Sequence, residues 1–121
     1  MKKTIVLALS VAAIGGGAAA SFADSTPIGP LPGGPVSSIN SQRGELVAVA
    51  LPQRGAGRVW RIARPLKTSV LRQVSEADVG ASVVLVFRAA GAGDATISVA
   101  LTRGDTSAKA LESRRFRVHV R

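Results

Sequence analysis

The sequence predicts an all-β fold, an antiparallel sandwich of about seven short strands. Three observations lead there. Apolar residues recur with a period of two in several runs of strand length, which places one set of side chains on one sheet face. Glycine, proline and small polar residues separate those runs at near-regular spacing. No stretch carries the 3.6-residue apolar pattern of an amphipathic helix. Strands that are apolar on one face must bury it, so two sheets are expected to face each other across one core.

The 121-residue chain opens with a segment that does not belong to that fold. Lys2 and Lys3 form a positive start, Thr4 to Ile14 an apolar run, and Ser21 and Ala23 a small-residue cleavage site. Spanning a bilayer takes ~20 apolar residues, and this run is about half as long before Gly15-Gly16-Gly17 interrupts it. Residues 1–23 are therefore read as a signal peptide cleaved after Ala23, with export to a periplasm or to the exterior. Processing then leaves no integral membrane segment. The alternative is an uncleaved membrane anchor. Removing residues 1–23 from 121 leaves 98, enough for one small domain with a limited core. There is no cysteine, so burial alone must hold the exported domain.

Residues 24–35 are rich in proline and glycine and read as a flexible leader, with the domain proper at 36–121. Val36–Ile39 is a short first strand. In Glu45–Leu51, Val47, Val49 and Leu51 alternate with Ala48 and Ala50, and Pro52 ends the ladder because it has no N–H to donate. Gly55 and Gly57 permit the reversal that follows. Arg58–Ala63 is the third strand and carries Trp60, the only tryptophan, expected between the sheets. Thr68–Val74 comes next, with Val70 and Leu71 inward, and Glu76 to Ala81 reads as a loop around Gly80. Ser82–Arg88 sends Val83, Leu85 and Phe87 inward; Ala89 to Gly93 turns the chain. In Ala95–Thr102, Ile97, Val99 and Leu101 point inward while Thr96, Ser98 and Ala100 point outward. Arg115–Arg121 places Phe116, Val118 and Val120 on one face and three arginines with His119 on the other.

The formal charge is +9, or +7 without Lys2 and Lys3. A basic surface suits acidic partners, and weak polyanion binding is compatible with it. The arginines are nevertheless dispersed, and few aromatics are present for stacking on bases. Catalysis is not expected. His119 is the only histidine and sits on an arginine-bearing strand face, and the seven carboxylates show no spacing suited to acid–base work or a metal cage. The glycine-rich turns lead into strands, whereas phosphate-binding loops open helices. No cofactor, metal or catalytic residue is assigned. What remains is binding by loops gathered at one end of a sandwich. The candidates are Gln53–Gly57, Glu76–Ala81 and Arg103–Glu112.

These residues resemble the chagasin family of cysteine-peptidase inhibitors over roughly Val36 to Arg121. GELVAVALP, a glycine loop and Trp60 are similar to that family's second strand, first inhibitory loop and tryptophan. FRAAGAGDATISVALTR and RRFRVHV are similar to its later strands. The resemblance implies an immunoglobulin-like β-sandwich, and three loops that occlude the active-site cleft of papain-like cysteine peptidases without a covalent bond. Carried over by position, the contacting residues are Gln53, Arg54, Gly55, Ala56, Gly57 and Arg58 in the first loop, Gly80 in the second, and Arg103, Gly104 and Asp105 in the third. Arg58 stands where the family has an aromatic residue, and Gly104-Asp105 replaces a proline and an aromatic. Aromatic anchors are often worth ~2 kcal/mol or more each, so two losses predict binding weaker by roughly several hundredfold. Arg54, Arg58 and Arg103 would suit an acidic cleft. The alternative is a diverged immunoglobulin-like envelope module that binds protein or polyanion without inhibiting a peptidase. A monomer is expected in either case.

Overall fold

The computed structural model describes residues 26–121; the signal peptide and its cleavage site lie outside them. Seven strands and no helix are present among the described residues: β1 Val36–Ser41, β2 Leu46–Pro52, β3 Val59–Ile62, β4 Leu71–Val79, β5 Ser82–Ala89, β6 Gly93–Thr102 and β7 Glu112–Val120. They form a four-stranded sheet in the order β1-β7-β6-β3 and a three-stranded sheet in the order β2-β5-β4. The all-β sandwich expected from the sequence is thus the observed fold. It is not wholly antiparallel, because β1 lies parallel to β7 at the edge of the larger sheet.

Cross-strand partners share a face, so the register assigns the core directly. Val47, Val49 and Leu51 of β2 oppose Phe87, Leu85 and Val83 of β5. Ala95 and Ile97 of β6 oppose Val118 and Phe116 of β7. Trp60 opposes Leu101. All are buried except Phe116, which is partly covered. Trp60 is 6% exposed and its indole Nε1 donates to the Pro52 carbonyl at 2.8 Å, joining β3 of one sheet to β2 of the other. The Arg114 guanidinium carbon lies 5.7 Å from the indole centroid and covers its remaining side.

Three departures from the sequence reading have physical causes. The fourth strand begins later and runs through Glu76, Ala77 and Asp78 to Val79, where a loop was expected. Its register slips between Gln73 and Ser75, a bulge that carries Val74. Past that slip, Glu76 and Asp78 pair with the inward residues Leu85 and Val83, so they take the inner face of an edge strand. The turn that remains is only Gly80-Ala81. Second, Ser98 and Ala100 do lie on the outer face of β6, yet both are buried. Third, what covers them includes the described part of the proline-rich leader, which was read as flexible. Thr26 and Gly29 donate backbone N–H groups to the carbonyls of Asp105 and Ala108, and Ser113 Oγ donates to Pro32 O at 2.5 Å. Gly34 crosses the Ser113 carbonyl so closely that any Cβ would collide with it.

Candidate functional site

Six strand ends, one from each of β2 to β7, meet at one end of the sandwich. Pro52 and Val79 both pair with Ser82, Val59 pairs with Thr102, and Leu101 pairs with Glu112. The β2–β3 loop (53–58), the β4–β5 turn (80–81) and the β6–β7 loop (103–111) therefore occupy the same end. The hairpin β4–β5 contributes little more than Gly80, at φ 59°, in place of the longer loop expected from sequence.

Side chains tie these segments together. Gln53 donates from Nε2 to Asp78 Oδ1 at 3.0 Å, and its backbone N–H bonds the Ala81 carbonyl at 2.9 Å. Arg54 forms a two-point contact with Glu112, Nε to Oε2 at 2.9 Å and Nη2 to Oε1 at 3.1 Å. Forked guanidinium–carboxylate pairs fix orientation as well as contributing energy. Between them, Gln53 and Arg54 hold the first loop to the second and to the base of the third. Gly55 and Gly57 adopt φ of 99° and 77°, the left-handed region that lets so short a loop reverse. Ala56 and Arg58 project freely from it.

The third loop folds back toward the larger sheet. Its organiser is Arg61, whose side chain is 10% exposed. Arg61 Nη1 donates to Ser107 O at 2.7 Å and Gly104 O at 3.3 Å, and Nη2 donates to Thr26 O. Asp105 stands 4.0 Å from Arg61 Nε, and Thr102 Oγ1 donates to Gly104 O at 3.0 Å. The Gly104 and Asp105 carbonyls are thus spent on holding the loop; Arg103 and the Asp105 carboxylate face solvent. Sequence reasoning passed over Arg61 because it alternates with Trp60 as any exposed strand residue would. The sole sequence cue was its place in a strand flanked by two loops.

The electrostatics of this end are mixed rather than basic. Arg54 is neutralised by Glu112, while Arg58 and Arg103 are exposed and enter no ion pair among the described residues. Glu76 and Asp78 lie behind the loops on the inner face of β4. Glu76 remains exposed, but partial loss of hydration raises its carboxyl above the ordinary value, and the charge of Asp78 adds to the rise. A hydrogen bond from Gln73 opposes it, and Asp105 contributes a smaller upward push.

His119 is placed elsewhere. Its Nδ1 is 2.6 Å from Asp94 Oδ1, and both side chains are exposed on the outer face of the larger sheet. Asp94 is the second residue of the strand that Thr102 ends, so this pair is roughly 26 Å from the loops at ~3.3 Å per residue. No group of three or more metal-ligating side chains is present among the described residues. No helix of the described residues is long and apolar enough to cross a membrane.

Fold and loop arrangement together define an immunoglobulin-like sandwich that presents three linked segments at one end. A solved structure shares this architecture: the cysteine protease inhibitor EhICP2 from Entamoeba histolytica, at a TM-score of 0.56 and 14% identity, over 72% of this chain and 96% of that one. The likeness in fold agrees with the resemblance to the chagasin family drawn from the sequence. No protein-family model matches the chain, and no curated protein matches it.

Proposed function

We propose that this protein is an exported inhibitor of papain-like cysteine peptidases that lays its three loops in the active-site cleft and forms no covalent bond. It acts by occlusion and is not an enzyme. The observation that carries the reading is the convergence of the 53–58, 80–81 and 103–111 segments, braced by the Gln53–Asp78 and Arg54–Glu112 contacts, on the fold of a cysteine protease inhibitor. Bracing lowers the entropy lost when loops dock, which favours binding by a pre-formed edge. In this reading Arg58 and Arg103, exposed and free of internal ion pairs, make the charged contacts; Arg54 serves as a brace. Export follows cleavage after Ala23, to the periplasm or beyond.

A second reading, an envelope interaction module that binds protein or polyanion, is favoured by one feature. Arginine and aspartate occupy positions where aromatic anchors are expected on the first and third loops. Processed protein titrated into a papain-type peptidase separates the two. Inhibition is expected, and Arg58→Glu should weaken it at least tenfold more than Arg121→Glu, a change at the far end of the sandwich. Full peptidase activity under a large molar excess would remove the first reading for that target. Equal effects of the two substitutions would reduce any inhibition to general charge. Binding that collapses between low and high salt would favour the polyanion.

A further inference from the structure

The free edge of β2 is a pairing surface, and we propose that it joins a second copy of this chain by antiparallel β2–β2 addition. The inference goes beyond the inhibitor reading and does not depend on it. Hydrogen bonds at both ends of the β2–β5 ladder fix which residues face inward along the sheet. Ala89 N–H donates to Glu45 O, and Gln53 N–H donates to Ala81 O. Residues 45, 47, 49, 51 and 53 therefore spend their backbone groups on β5. Alternation then turns the N–H and C=O groups of Leu46, Ala48 and Ala50 away from β5, where β2 is the last strand of its sheet. The Pro52 carbonyl follows the same parity and is taken by the Trp60 indole. Leu46, Ala48 and Ala50 are all exposed, and no backbone partner meets them among the described residues.

The other edge of this sheet is guarded. β4 carries the Val74 bulge and turns Glu76 and Asp78 inward, devices that discourage a further strand. In the larger sheet β3 is only four residues long, and β1 is built of serine and asparagine around Val36 and Ile39. From Leu46 to Leu51, β2 has no charge, no bulge and no proline. Its exposed groups are also self-complementary. A two-fold axis at Ala48 sets Ala48 opposite Ala48 of the second copy, and Leu46 opposite Ala50. Every outward N–H then meets an outward carbonyl. On the outer face the large Leu46 lies beside the small Ala50. Beyond the ladder, Pro52 offers no donor and the Gly44 N–H is already bound to Ala89 O, so the pairing ends on its own. The two strands run in opposite senses, which points the two loop ends away from each other and leaves both open.

The interface is narrow, so association is expected at ~1 µM to ~1 mM, the weak range for small contacts. Sedimentation of the processed protein across that range should show a reversible dimer. A monomer throughout overturns the proposal and leaves the edge to an extended segment of another protein. Register is tested by cysteine, which the chain lacks. Ala48→Cys should cross-link between copies under mild oxidation at least tenfold faster than Ala50→Cys, because directly paired Cα atoms stand within disulfide reach. Equal rates overturn the register. Ala48→Pro removes an N–H that β5 does not use and should leave a folded monomer; a persistent dimer places the contact elsewhere. Should Ala48→Pro fail to fold by circular dichroism, Ala48→Arg opposes like charges across the axis and must weaken the dimer at least tenfold.

Discussion

On the outer face of the four-stranded sheet, Ser98, Ala100 and Thr102 are buried beneath residues 26–35 and the 103–111 loop. On the outer face of the three-stranded sheet, Leu46, Ala48, Ala50, Ala77 and Val79 lie open to solvent. The difference does not come from apolar content, since the open face is the more apolar of the two. It comes from arginine. Arg61 and Arg64 stand at the rim of the covered face and donate to the carbonyls of Thr26, Ile28, Gly29, Gly104 and Ser107, fastening irregular backbone over it. Irregular segments bury poorly unless their carbonyls find donors, and a guanidinium can serve several at once. No such donor rises from the middle of the open face. Two of the positive charges that look like a signature of acidic partners, those of Arg61 and Arg64, are better described as internal fastening.

The largest test of this contrast removes what the two faces have in common. Trp60→Ala empties a buried aromatic site and breaks the indole bond to Pro52, and should cost ~3–5 kcal/mol out of a total stability of ~5–15 kcal/mol. A thermal melt should show loss of both sheets in one transition. A variant that melts near the parent would show that the indole is not the joint between them. Arg61→Ala should cost about 2–3 kcal/mol, because it leaves several carbonyls without their charged donor. Its effect should be local: hydrogen exchange at the Thr26 and Gly29 amides should accelerate while β5 amides keep their protection relative to global stability. Equal acceleration everywhere would mean that the cover and the core unfold as one.

The smallest effect belongs to the sheet with the open face. The fold raises the Glu76 carboxyl, so the protonated form is favoured in the folded state. Stability from this group is complete below the ordinary carboxylate range and is lost as pH rises through the raised value. Glu76→Gln should therefore stabilise the protein at neutral pH, by ~0.5 kcal/mol for a carboxyl still in contact with solvent. The gain should vanish at pH 4 or below, and a gain independent of pH would assign the effect to packing.

Most strands were legible because their inward positions are apolar and regular. β5 and β6 show this best, with Val83-Leu85-Phe87 and Ile97-Val99-Leu101 in strict alternation. β4 was not, for two reasons that compound. The slip at Val74 breaks the period, and the inward positions beyond it hold acids, so the pattern that identifies a strand is missing where the strand continues. The cover over the larger sheet was also invisible, since it depends on backbone carbonyls, which every residue has. At the loop end, the grouping of the three segments followed from strand order. The engagement of Arg54 by Glu112 did not, because a pair 58 residues apart leaves no local trace.

The parallel pairing of β1 with β7 sets an order of assembly. Val36 and Arg115 are partners across roughly eighty residues of chain, a closure whose entropy must be met late, after nearer hairpins have formed. β1 and the segment before it have nowhere to settle until the last nine-residue strand is in place. The first and last strands thus complete the sandwich together, and a chain cut short before β7 would leave β1 without its only strand partner among the described residues.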